Sequence, residues 1–598
     1  MNMVAPVYRQ RIEELSTLLK NQQKRKNLIG WTRLIVFVLT LILSYQSFVS
    51  FGFWGVVTIV AGLALLLYLV SMDVDNNQKI SNTKTLLRIN DEELEILQHN
   101  FHNRFDGNAF STDQHQYAND LDIFGKASIF QWLNRTFTEH GRKKLAADLL
   151  SPLPIEQILQ RHHAVKEIAP LLKWRQQMQA YAMQTIIQLQ SEESTKKWVN
   201  EETKHFAHPA WKVFVWVYSI ITLSSLVATI VGWMPASLFS SLFFLYLFTS
   251  LILSRNTIKP YIVLSGIVKE INTLYLLVDW VEKQSFQSSF LQEMQRRIRS
   301  KDSAAAAEIR KLKIILDRFD LRLNIVGLLF FNSFLLWDVR QMIALNRWRK
   351  RNKDLVPKWF EVVAEMEVLN SLATVHFNHP DWSYPSFSTQ HFTLHVKELG
   401  HPLIIESSRV NNSFSLNGTA KVGIITGSNM AGKSTFLRSL GVNIVLAQIG
   451  SPVCAKAFEL APVQLMSSMR IADNLAENTS TFYAELKKLK TIIEAVNRHE
   501  KVFILLDEIL RGTNSLDRHT GSVALIKQMI KQKAVAVIAT HDVELAKLQQ
   551  EYPDSIDNYH FDVQVEGEEL YFDYKLKQGV CTSLNASILM KKIGIELS

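Results

Sequence analysis

The fold of the C-terminal part of this 598-residue chain is decided by one stretch, residues 422–438, which reads VGIITGSNMAGKSTFLR. Its first five residues predict a buried strand, and the residues after Gly432 predict a helix. Between them lies the spacing Gly-x4-Gly-Lys-Ser, which between a strand and a helix is typical of a phosphate-binding loop. The glycines allow backbone N–H groups to close around phosphate oxygens, and the helix N-terminus adds a favourable dipole.

The residues of this loop have separate predicted roles. Lys433 is expected to reach the β- and γ-phosphates, and Ser434 is expected to ligate Mg²⁺, so ATP and Mg²⁺ are the predicted cofactors. The predicted nucleotide-binding residues of the loop are Gly427, Ser428, Asn429, Met430, Ala431, Gly432, Lys433, Ser434 and Thr435.

Two further apolar runs end in polar residues. Residues 502–506 (VFILL) predict a strand that ends in Asp507 and Glu508. Asp507 is expected to hold Mg²⁺, directly or through water, and Glu508 to orient and deprotonate the attacking water. Residues 534–538 predict a third strand, after which His541 is placed to sense or stabilise the γ-phosphate. A solvated polar residue at a strand end is the alternative for each of them alone. The predicted catalytic residues are Glu508, His541 and Lys433, and the predicted metal ligands are Ser434 and Asp507.

The same motifs resemble those of the MutS family. Residues 426–435 (TGSNMAGKST) look like the nucleotide loop of that family, whose Asn-Met pair generic ABC ATPases lack. Residues 507–513 (DEILRGT) and 539–541 (ATH) resemble two further family motifs, and residues 473–482 (DNLAENTSTF) resemble its signature loop. Upstream, residues 120–207 are similar to the start of the helical core of the family.

The resemblance implies a head-to-tail ATPase dimer. Each nucleotide would lie between the phosphate loop of one subunit and Ser480 of the other, and Asn429 would touch the phosphates or the signature loop. ATP would couple dimer closure to movements of the helical domains. The C-terminal helices of the family help it to dimerise, and residues 574–593 lie where those helices are expected. The predicted partner is a second copy of the chain, in a homodimer with composite ATP sites.

Composition excludes two other classes of protein. With 47% hydrophobic and 20% charged residues the chain is not disordered, and with two cysteines it is not a disulfide scaffold. The net charge of +10 permits an anionic partner without requiring one. The mean hydropathy of +0.02 is high for a soluble enzyme, which indicates that some segments are abnormally apolar.

Two uncharged stretches explain this hydropathy, one of 39 residues at 34–72 and one of 42 residues at 213–254. Each is long enough for two membrane-spanning helices of about 20 residues, with breaks at 50–52 (SFG) and 232–235 (GWMP). Buried core hairpins are the alternative. The lipid bilayer is therefore a predicted partner, crossed by about four spans.

Charge predicts the orientation of these spans. Basic residues precede the first hairpin and follow the second, whereas the turns carry no charge. The positive-inside rule places the N-terminus and the ATPase domain in the cytoplasm, so the predicted location is the cytoplasmic membrane, as a multi-pass protein. Residues 323–337 form a shorter uncharged stretch, for which a buried core helix is favoured over a fifth span.

The predicted fold is mixed. An all-α helical core with two transmembrane helical hairpins is followed by a C-terminal α/β ATPase domain of the P-loop, ABC type. The predicted divisions are a basic amphipathic N-terminal segment (1–30), the first transmembrane hairpin (31–72), the first half of the helical core (73–207), the second hairpin (208–254), the second half of the core (255–375), and the ATPase domain with dimerisation helices (376–598).

Departures from the family leave three classes of function open. Mismatch-binding members begin with a domain that wedges a Phe of a Gly-x-Phe-x-Glu segment into DNA, and no such segment occurs here. The first hypothesis is a membrane-anchored ATPase switch that acts on DNA, related to mismatch repair or to binding of a DNA structure. The second is a membrane ATPase switch for protein or lipid partners. The third, an ABC half-transporter, is disfavoured because such halves have roughly six spans.

A basic cluster at 347–353 (RWRKRNK) bears on the choice of partner. It is interpreted as a solvated helix end, with a contact to phosphates of DNA or of anionic lipid as the alternative.

Overall fold

The computed structural model describes residues 4–112, 114–201, 205–300, 303–325, 327–388, 392–428, 430–470, 481–566 and 569–581. Two parts follow one another along the chain. The described residues up to 378 are helical, and the first strand begins at residue 386. The predicted order, a helical part followed by an α/β part, is confirmed.

The helical part is built from helices of very different lengths. Its α-helices are α1 (Ala5–Phe51), α2 (Gly55–Leu97), α3 (Ile129–Leu133), α4 (Glu139–Leu150), α5 (Ile155–Ile168), α6 (Leu172–Ala182), α7 (Leu189–Asn200), α8 (Ala210–Ile230), α9 (Ala236–Ser254), α10 (Ile258–Ser265), α11 (Val268–Lys283), α12 (Ser289–Ile298), α13 (Ala305–Phe319), α14 (Ser333–Leu335), α15 (Trp337–Asn352) and α16 (Val356–Asn378).

Helices α1 and α2 form a long pair, joined by a turn at Gly52–Trp54. Gly62 of α2 approaches α1 so closely that a Cβ there would overlap the side chain of Thr40. Further from the turn, Arg33 and Asp73 form an ion pair of 3.2 Å between the two helices. The predicted boundary at residue 72 falls inside α2, which continues unbroken to Leu97.

The polar ends of α1 and α2 lie against the C-terminal end of α16. The carboxylate of Glu93 accepts hydrogen bonds of 2.9 and 2.8 Å from Arg135 and one of 3.1 Å from the Asn378 amide. The Tyr8 hydroxyl donates to Asn378 Oδ1 at 2.8 Å. All four side chains are buried, so their hydrogen bonds offset the cost of removing them from water. The network ties both long helices to α16.

Helix α16 is the centre of the helical part. Helices α4, α5, α11 and α12 pack against it, and almost every side chain along it is buried. Arg161 of α5 is fully buried here, and it donates to Glu365 of α16 at 2.9 Å and to Asp148 of α4 at 2.7 Å. A third bond of 2.9 Å runs to the carbonyl oxygen of Ile449, in the α/β part. One arginine therefore joins three helices and both parts of the chain.

Three helical segments of the described chain are long and apolar enough to cross a membrane, as judged by length and composition. They coincide with the two apolar regions predicted from the sequence. These segments are Ala5–Leu97, which contains the α1–α2 pair, Ala210–Ile230 and Ala236–Thr257.

The buried core helix favoured for 323–337 is present only in part. The described residues form a π-helical turn at Gly327–Asn332 and the single turn α14, after which Leu336 adopts a positive φ of 46°. The side chain of Asn332 accepts a hydrogen bond from the Asp338 backbone N–H at 3.2 Å. Such a local bond competes with regular helix, because the amide oxygen replaces a backbone acceptor. Ile325, moreover, is 71% exposed.

The α/β part contains two larger sheets and a small hairpin. Its strands are β1 (Ser386–Phe387), β2 (Thr393–Leu399), β3 (Asn412–Asn417), β4 (Lys421–Thr426), β5 (Ala457–Leu460), β6 (Gln464–Ser468), β7 (Val502–Asp507), β8 (Val535–Thr540), β9 (Ile556–Phe561), β10 (Gln564–Glu566), β11 (Glu569–Tyr571) and β12 (Leu576–Gln578), and its helices are α17 (Lys433–Gln448), α18 (Thr481–Asn497), α19 (Ser515–Lys531) and α20 (Leu548–Glu551).

The larger sheet has six strands in the order β12-β9-β4-β8-β7-β6, and all neighbours are parallel except β12 and β9. The second sheet has the order β1-β5-β2-β3. Strands β7 and β8 are buried at every position, as expected for central parallel strands covered on both faces. The three strands predicted from apolar runs are β4, β7 and β8.

The prediction of helix over 574–593 fails for the residues that the structure describes. Residues 576–578 form β12, which pairs antiparallel with β9, Leu576 lying opposite Phe561. The backbone N–H of Leu576 also donates to the side chain of Asn412 at 2.8 Å, which holds this edge strand in place. Residues 582–593 lie outside the described residues, so the rest of the prediction stays open.

Candidate active site

The loop between β4 and α17 takes the shape that its glycines permit. Gly427 and Gly432 adopt φ values of +147° and +106°, in the left-handed region where a Cβ causes strain. A Cβ on Gly427 would also lie 2.8 Å from the carbonyl oxygen of Phe561 in the neighbouring β9. Gly432 is the N-cap of α17, so the loop ends at the positive end of a 16-residue helix.

Lys433 lies inside this loop. Its side chain is buried, and its Nζ donates to the carbonyl oxygens of Gly427 at 2.7 Å and Ser428 at 2.8 Å. Burial lowers the pKa of Lys433, whereas the charges of Glu508 and Asp507 raise it. The loop thus holds a buried cation whose present partners are neutral carbonyl groups, which an anion can replace at a gain in Coulomb energy.

Two carboxylates lie at the end of β7, at the same edge of the sheet: Asp507 is its last residue and Glu508 follows it. Burial raises the pKa of Asp507, and a hydrogen bond from the Ser434 hydroxyl lowers it. The Asp507 Oδ1 atom is buried and has no hydrogen bond of good geometry among the described residues. Glu508 adopts a positive φ of 53°, and its backbone N–H donates to Ala539 at 2.9 Å. Carboxylate and hydroxyl oxygens are ligands of the kind that Mg²⁺ prefers.

His541 joins these carboxylates from the adjacent strand. In the parallel pair of β7 and β8, Asp507 lies opposite Ala539, so both strands end at one edge. The Nδ1 atom of His541 lies 3.6 Å from Glu508 Oε1. Ligands of open parallel sheets bind at this carboxyl edge, where the strand ends leave a crevice.

Arg511 received no role from the sequence, although it is part of the DEILRGT motif. Its guanidinium lies 3.4 Å from Asp507 Oδ2 and 3.2 Å from Glu508 Oε2. The side chain is 38% exposed, so these pairs are weakened by solvent. Arg511 therefore neutralises both carboxylates of the site from its solvent side.

Glu485 is a second residue that the sequence reading missed. It lies on α18, and burial raises its pKa, while hydrogen bonds from the backbone N–H groups of residues 510–512 lower it. The bond from Leu510 is 2.6 Å long. Its only sequence signal is its spacing, since it shares the buried face of α18 with Leu489 and Ile492. Glu485 holds the segment that carries Arg511.

The helical part contacts the two helices that flank the site. Asp122 forms ion pairs with Arg438 of α17, at 3.1 Å, and with Arg470. Asp120 accepts hydrogen bonds of 2.6 Å from Lys488 of α18 and of 2.6 Å from Ser467. A shift of α17 or α18 therefore acts directly on the loop at 120–122.

The structure brings most of the predicted site residues to one edge of the larger sheet. Asn429 and Ser480 lie outside the described residues, so the structure says nothing about their predicted contacts. The predicted residues that meet at this edge or in the adjoining loop are Gly427, Ser428, Met430, Ala431, Gly432, Lys433, Ser434, Thr435, Asp507, Glu508 and His541.

Comparison with known proteins explains this arrangement. Residues 423–592 match the family model described as MutS domain V. The matched segment contains the glycine loop and both carboxylates of the site, so the C-terminal part of this chain is similar to MutS domain V.

Proteins similar to part of this chain come from distant organisms. The DNA mismatch repair protein MutS of Persephonella marina is 32% identical over 247 residues, which is 41% of this chain and 28% of that protein. The protein of the same description from Thermotoga sp. (strain RQ2) is 33% identical over 237 residues, 39% of this chain and 29% of that protein. MutS protein homolog 4 of Homo sapiens is 33% identical over 217 residues, 34% of this chain and 22% of that protein. The match to this chain spans less than a third of the length of these relatives.

Proposed function

We propose that this chain is a membrane-anchored MutS-family ATPase whose ATP-dependent conformational change acts on DNA. The observation that carries the proposal is the meeting of Lys433, Ser434, Asp507 and Glu508 at the carboxyl edge of a parallel sheet. A buried lysine in a glycine loop and two carboxylates opposite it are what phosphoryl transfer to water requires.

Each residue has a role in ATP hydrolysis. The backbone N–H groups of the loop and the N-terminus of α17 bind the phosphates, and Lys433 balances their charge. Ser434 and Asp507 would hold Mg²⁺, which would supply positive charge to neutralise the phosphates. Glu508 orients and deprotonates the attacking water, and His541 stabilises the γ-phosphate.

Arg511 changes partners during this reaction. In the present arrangement it pairs with both carboxylates, 3.4 Å from Asp507 and 3.2 Å from Glu508. A cation at Asp507 would compete with this guanidinium, because two positive charges would then face one carboxylate. Arg511 is half-exposed and can turn outwards without breaking a buried network, which leaves Glu508 free to act as a base.

The ATPase works as a homodimer with composite sites, in which Ser480 of one subunit faces the nucleotide of the other. The proposal rests on the family resemblance and on the position of α18 directly after the signature stretch. Closure of the dimer moves α17 and α18, and the ion pairs of Asp122 and Asp120 pass that movement to the helical part. ATP then biases two arrangements of the helical domains.

The helical part anchors the chain in the cytoplasmic membrane. The proposal is supported by three apolar helical segments whose large side chains are exposed, such as Phe53 at 85% and Phe244 at 67%. A water-soluble protein rarely exposes so much contiguous apolar surface. The basic residues beside the apolar stretches support a cytoplasmic location of the ATPase domain.

DNA is the proposed partner because the curated relatives include proteins described as DNA mismatch repair protein MutS. The test uses the full-length protein in lipid nanodiscs, with ATP hydrolysis measured alone and with duplex, mismatched or branched DNA. We expect binding that weakens steeply with salt, since phosphate contacts release counterions, and a change in the hydrolysis rate. Without binding to any of these DNAs at low salt, the DNA part of the proposal falls, and protein or lipid partners become the better candidates.

A further inference from the structure

Residues 324–336 connect α13 to α15 by a detour away from the helical core. The detour begins and ends at one place, because Arg322 at its entry lies 3.6 Å from Asp338 at its exit. Thirteen residues of helix would extend about 20 Å, which is too short for the roughly 30 Å hydrocarbon core of a bilayer. The segment therefore returns on the side from which it departed.

The detour runs alongside the apolar helices α8 and α9. Thr222 and Tyr218 of α8 donate hydrogen bonds to the carbonyl oxygens of Phe334, at 2.7 Å, and Ser333, at 3.0 Å. The ring of Phe334 lies 5.9 Å from that of Phe243 in α9. Phe243 precedes the end of α9 at Ser254 by about 16 Å of helix. The segment thus reaches roughly half of the hydrocarbon thickness along the pair.

One face of the segment consists of exposed apolar side chains. Ile325 is 71% exposed and Phe330 is 46% exposed. This face is continuous with the outer surface of α9, because ring contacts run from Phe330 to Phe334 at 5.2 Å, on to Phe243, and from there to Phe244 at 6.1 Å. Phe244 itself is 67% exposed.

Several polar groups at the base of the segment bond within the protein, whereas the buried Ser333 Oγ and Asp338 Oδ1 atoms have no hydrogen bond among the described residues. Asn332 donates to Ser254 at 2.8 Å and accepts from the Asp338 backbone, and all three residues are buried. Trp337 donates its indole N–H to the carbonyl oxygen of Arg318 at 2.8 Å. Irregular backbone is tolerated at membrane depth where the protein itself provides hydrogen bonds, as Tyr218 and Thr222 do for the carbonyl groups of Ser333 and Phe334.

We infer that the described residues of this detour, 324–325 and 327–336, belong to a re-entrant segment that enters the cytoplasmic leaflet, with lipid hydrocarbon covering the face of Ile325 and Phe330. The inference rests on the proposed membrane anchoring by α8 and α9, and it goes beyond that anchoring. The exposed rings of the segment are continuous with the apolar surface of α9. This continuity favours lipid over a protein partner, because the lipid that surrounds α9 would then cover the whole apolar surface.

The experiment measures the accessibility of spin labels on the full-length protein in vesicles of phosphatidylcholine and phosphatidylglycerol. Labels are placed by Ile325→Cys and Phe330→Cys. Leu245→Cys on α9, 57% exposed, is the matched control for lipid, and Leu159→Cys on α5, 44% exposed, is the control for water. The native Cys454 and Cys581 are buried, and the unsubstituted chain gives their background.

We expect the ratio of collisions with oxygen to collisions with a water-soluble nickel chelate to be several-fold higher at 325, 330 and 245 than at 159. Ratios at 325 and 330 equal to that at 159, with a high ratio at 245, would overturn the inference and leave the anchoring intact. A low ratio at 245 as well would overturn both. Labels at 325 that are shielded from both reagents and broadened by a second label would instead show that another copy of the chain covers this face.

Discussion

Two sets of charged side chains in this chain differ in how completely they are paired. The side chain of Arg161 is 0% exposed, and its guanidinium donates hydrogen bonds of 2.7 to 2.9 Å to Glu365, Asp148 and a backbone carbonyl. Arg511 is 38% exposed, and its distances to Asp507 and Glu508 are 3.4 and 3.2 Å. The first set has no capacity left for a ligand, whereas the second contains the buried Asp507 Oδ1 atom without a good hydrogen bond. Ion pairs whose hydrogen-bonding groups are all in use therefore stabilise the fold. Ion pairs that leave an acceptor unused are able to exchange partners.

The strongest test of this difference is the loss of hydrolysis at the second set. Lys433→Ala removes the buried cation of the loop, and Glu508→Gln removes the proposed base. We expect each to lower the rate of ATP hydrolysis by about 10²–10³-fold or more, while Glu508→Gln retains ATP binding. Lys456→Ala, which affects only a pair with Glu398, is the matched control and should leave the rate unchanged. Undiminished hydrolysis in both site variants would refute the assignment of the site.

The second prediction concerns the stability of the fold. Substitution of Arg161 should lower it strongly, whereas substitution of Arg511 should not. Arg161→Met leaves Asp148 and Glu365 buried with only Lys144 nearby, so we expect it to lower the free energy of unfolding by about 3–5 kcal/mol. Arg511→Met breaks half-exposed pairs and should cost about 0–1 kcal/mol. Urea titration of the detergent-solubilised protein, followed by tryptophan fluorescence, compares the two midpoints. Equal shifts would remove the distinction between the sets.

A smaller effect is expected from the pH dependence of Glu367, a buried carboxyl that forms no ion pair with any residue of the described ranges. It accepts hydrogen bonds from Thr138 and from the backbone of Phe137, yet burial raises its pKa from 4.5 to about 7. Because its folded pKa exceeds its unfolded value, the free energy of unfolding should fall as the pH rises from 4.5 to about 7.

The magnitude of this loss is on the order of 3 kcal/mol at most. Glu367→Gln mimics the protonated carboxyl and should flatten the pH profile between these limits, which urea midpoints at several pH values will reveal. An unchanged slope in the variant would show that Glu367 titrates at its ordinary pKa.

The sequence predicted which candidate site residues lie together, because their positions follow local rules. A glycine loop between a strand and a helix has one backbone solution, and the ends of adjacent parallel strands meet at one edge, so Lys433, Asp507 and His541 were predictable. Arg511 and Glu485 were not given roles, since their partners depend on how α18 packs against the segment at 510–512. No linear motif states that packing.

The helical part was predictable in composition but not in detail. Apolar stretches predicted the positions of α8 and α9. The detour at 324–336 depends on a bond between Asn332 and Ser254, which are far apart in the chain. The members of the basic cluster at 347–353 likewise differ in burial. Trp348 and Arg349 are buried, and Trp348 donates to the Glu308 carbonyl, whereas Lys350 is exposed. Tertiary contacts decide which member of a cluster reaches solvent.

Because α1 and α2 are unbroken, each fixes the rotation of one of its ends relative to the other as well as the distance between the two ends. Each helix carries apolar residues near the turn at Gly52–Trp54 and buried polar residues, Tyr8 or Glu93, near its other end. One residue inserted between these ends would rotate one of them by about 100° and lengthen the helix by about 1.5 Å, whereas an insertion of about seven residues would nearly restore the facing. The length of the pair sets the distance between the α/β part and the apolar turn. Its helical phase sets which side of the α/β part faces that turn.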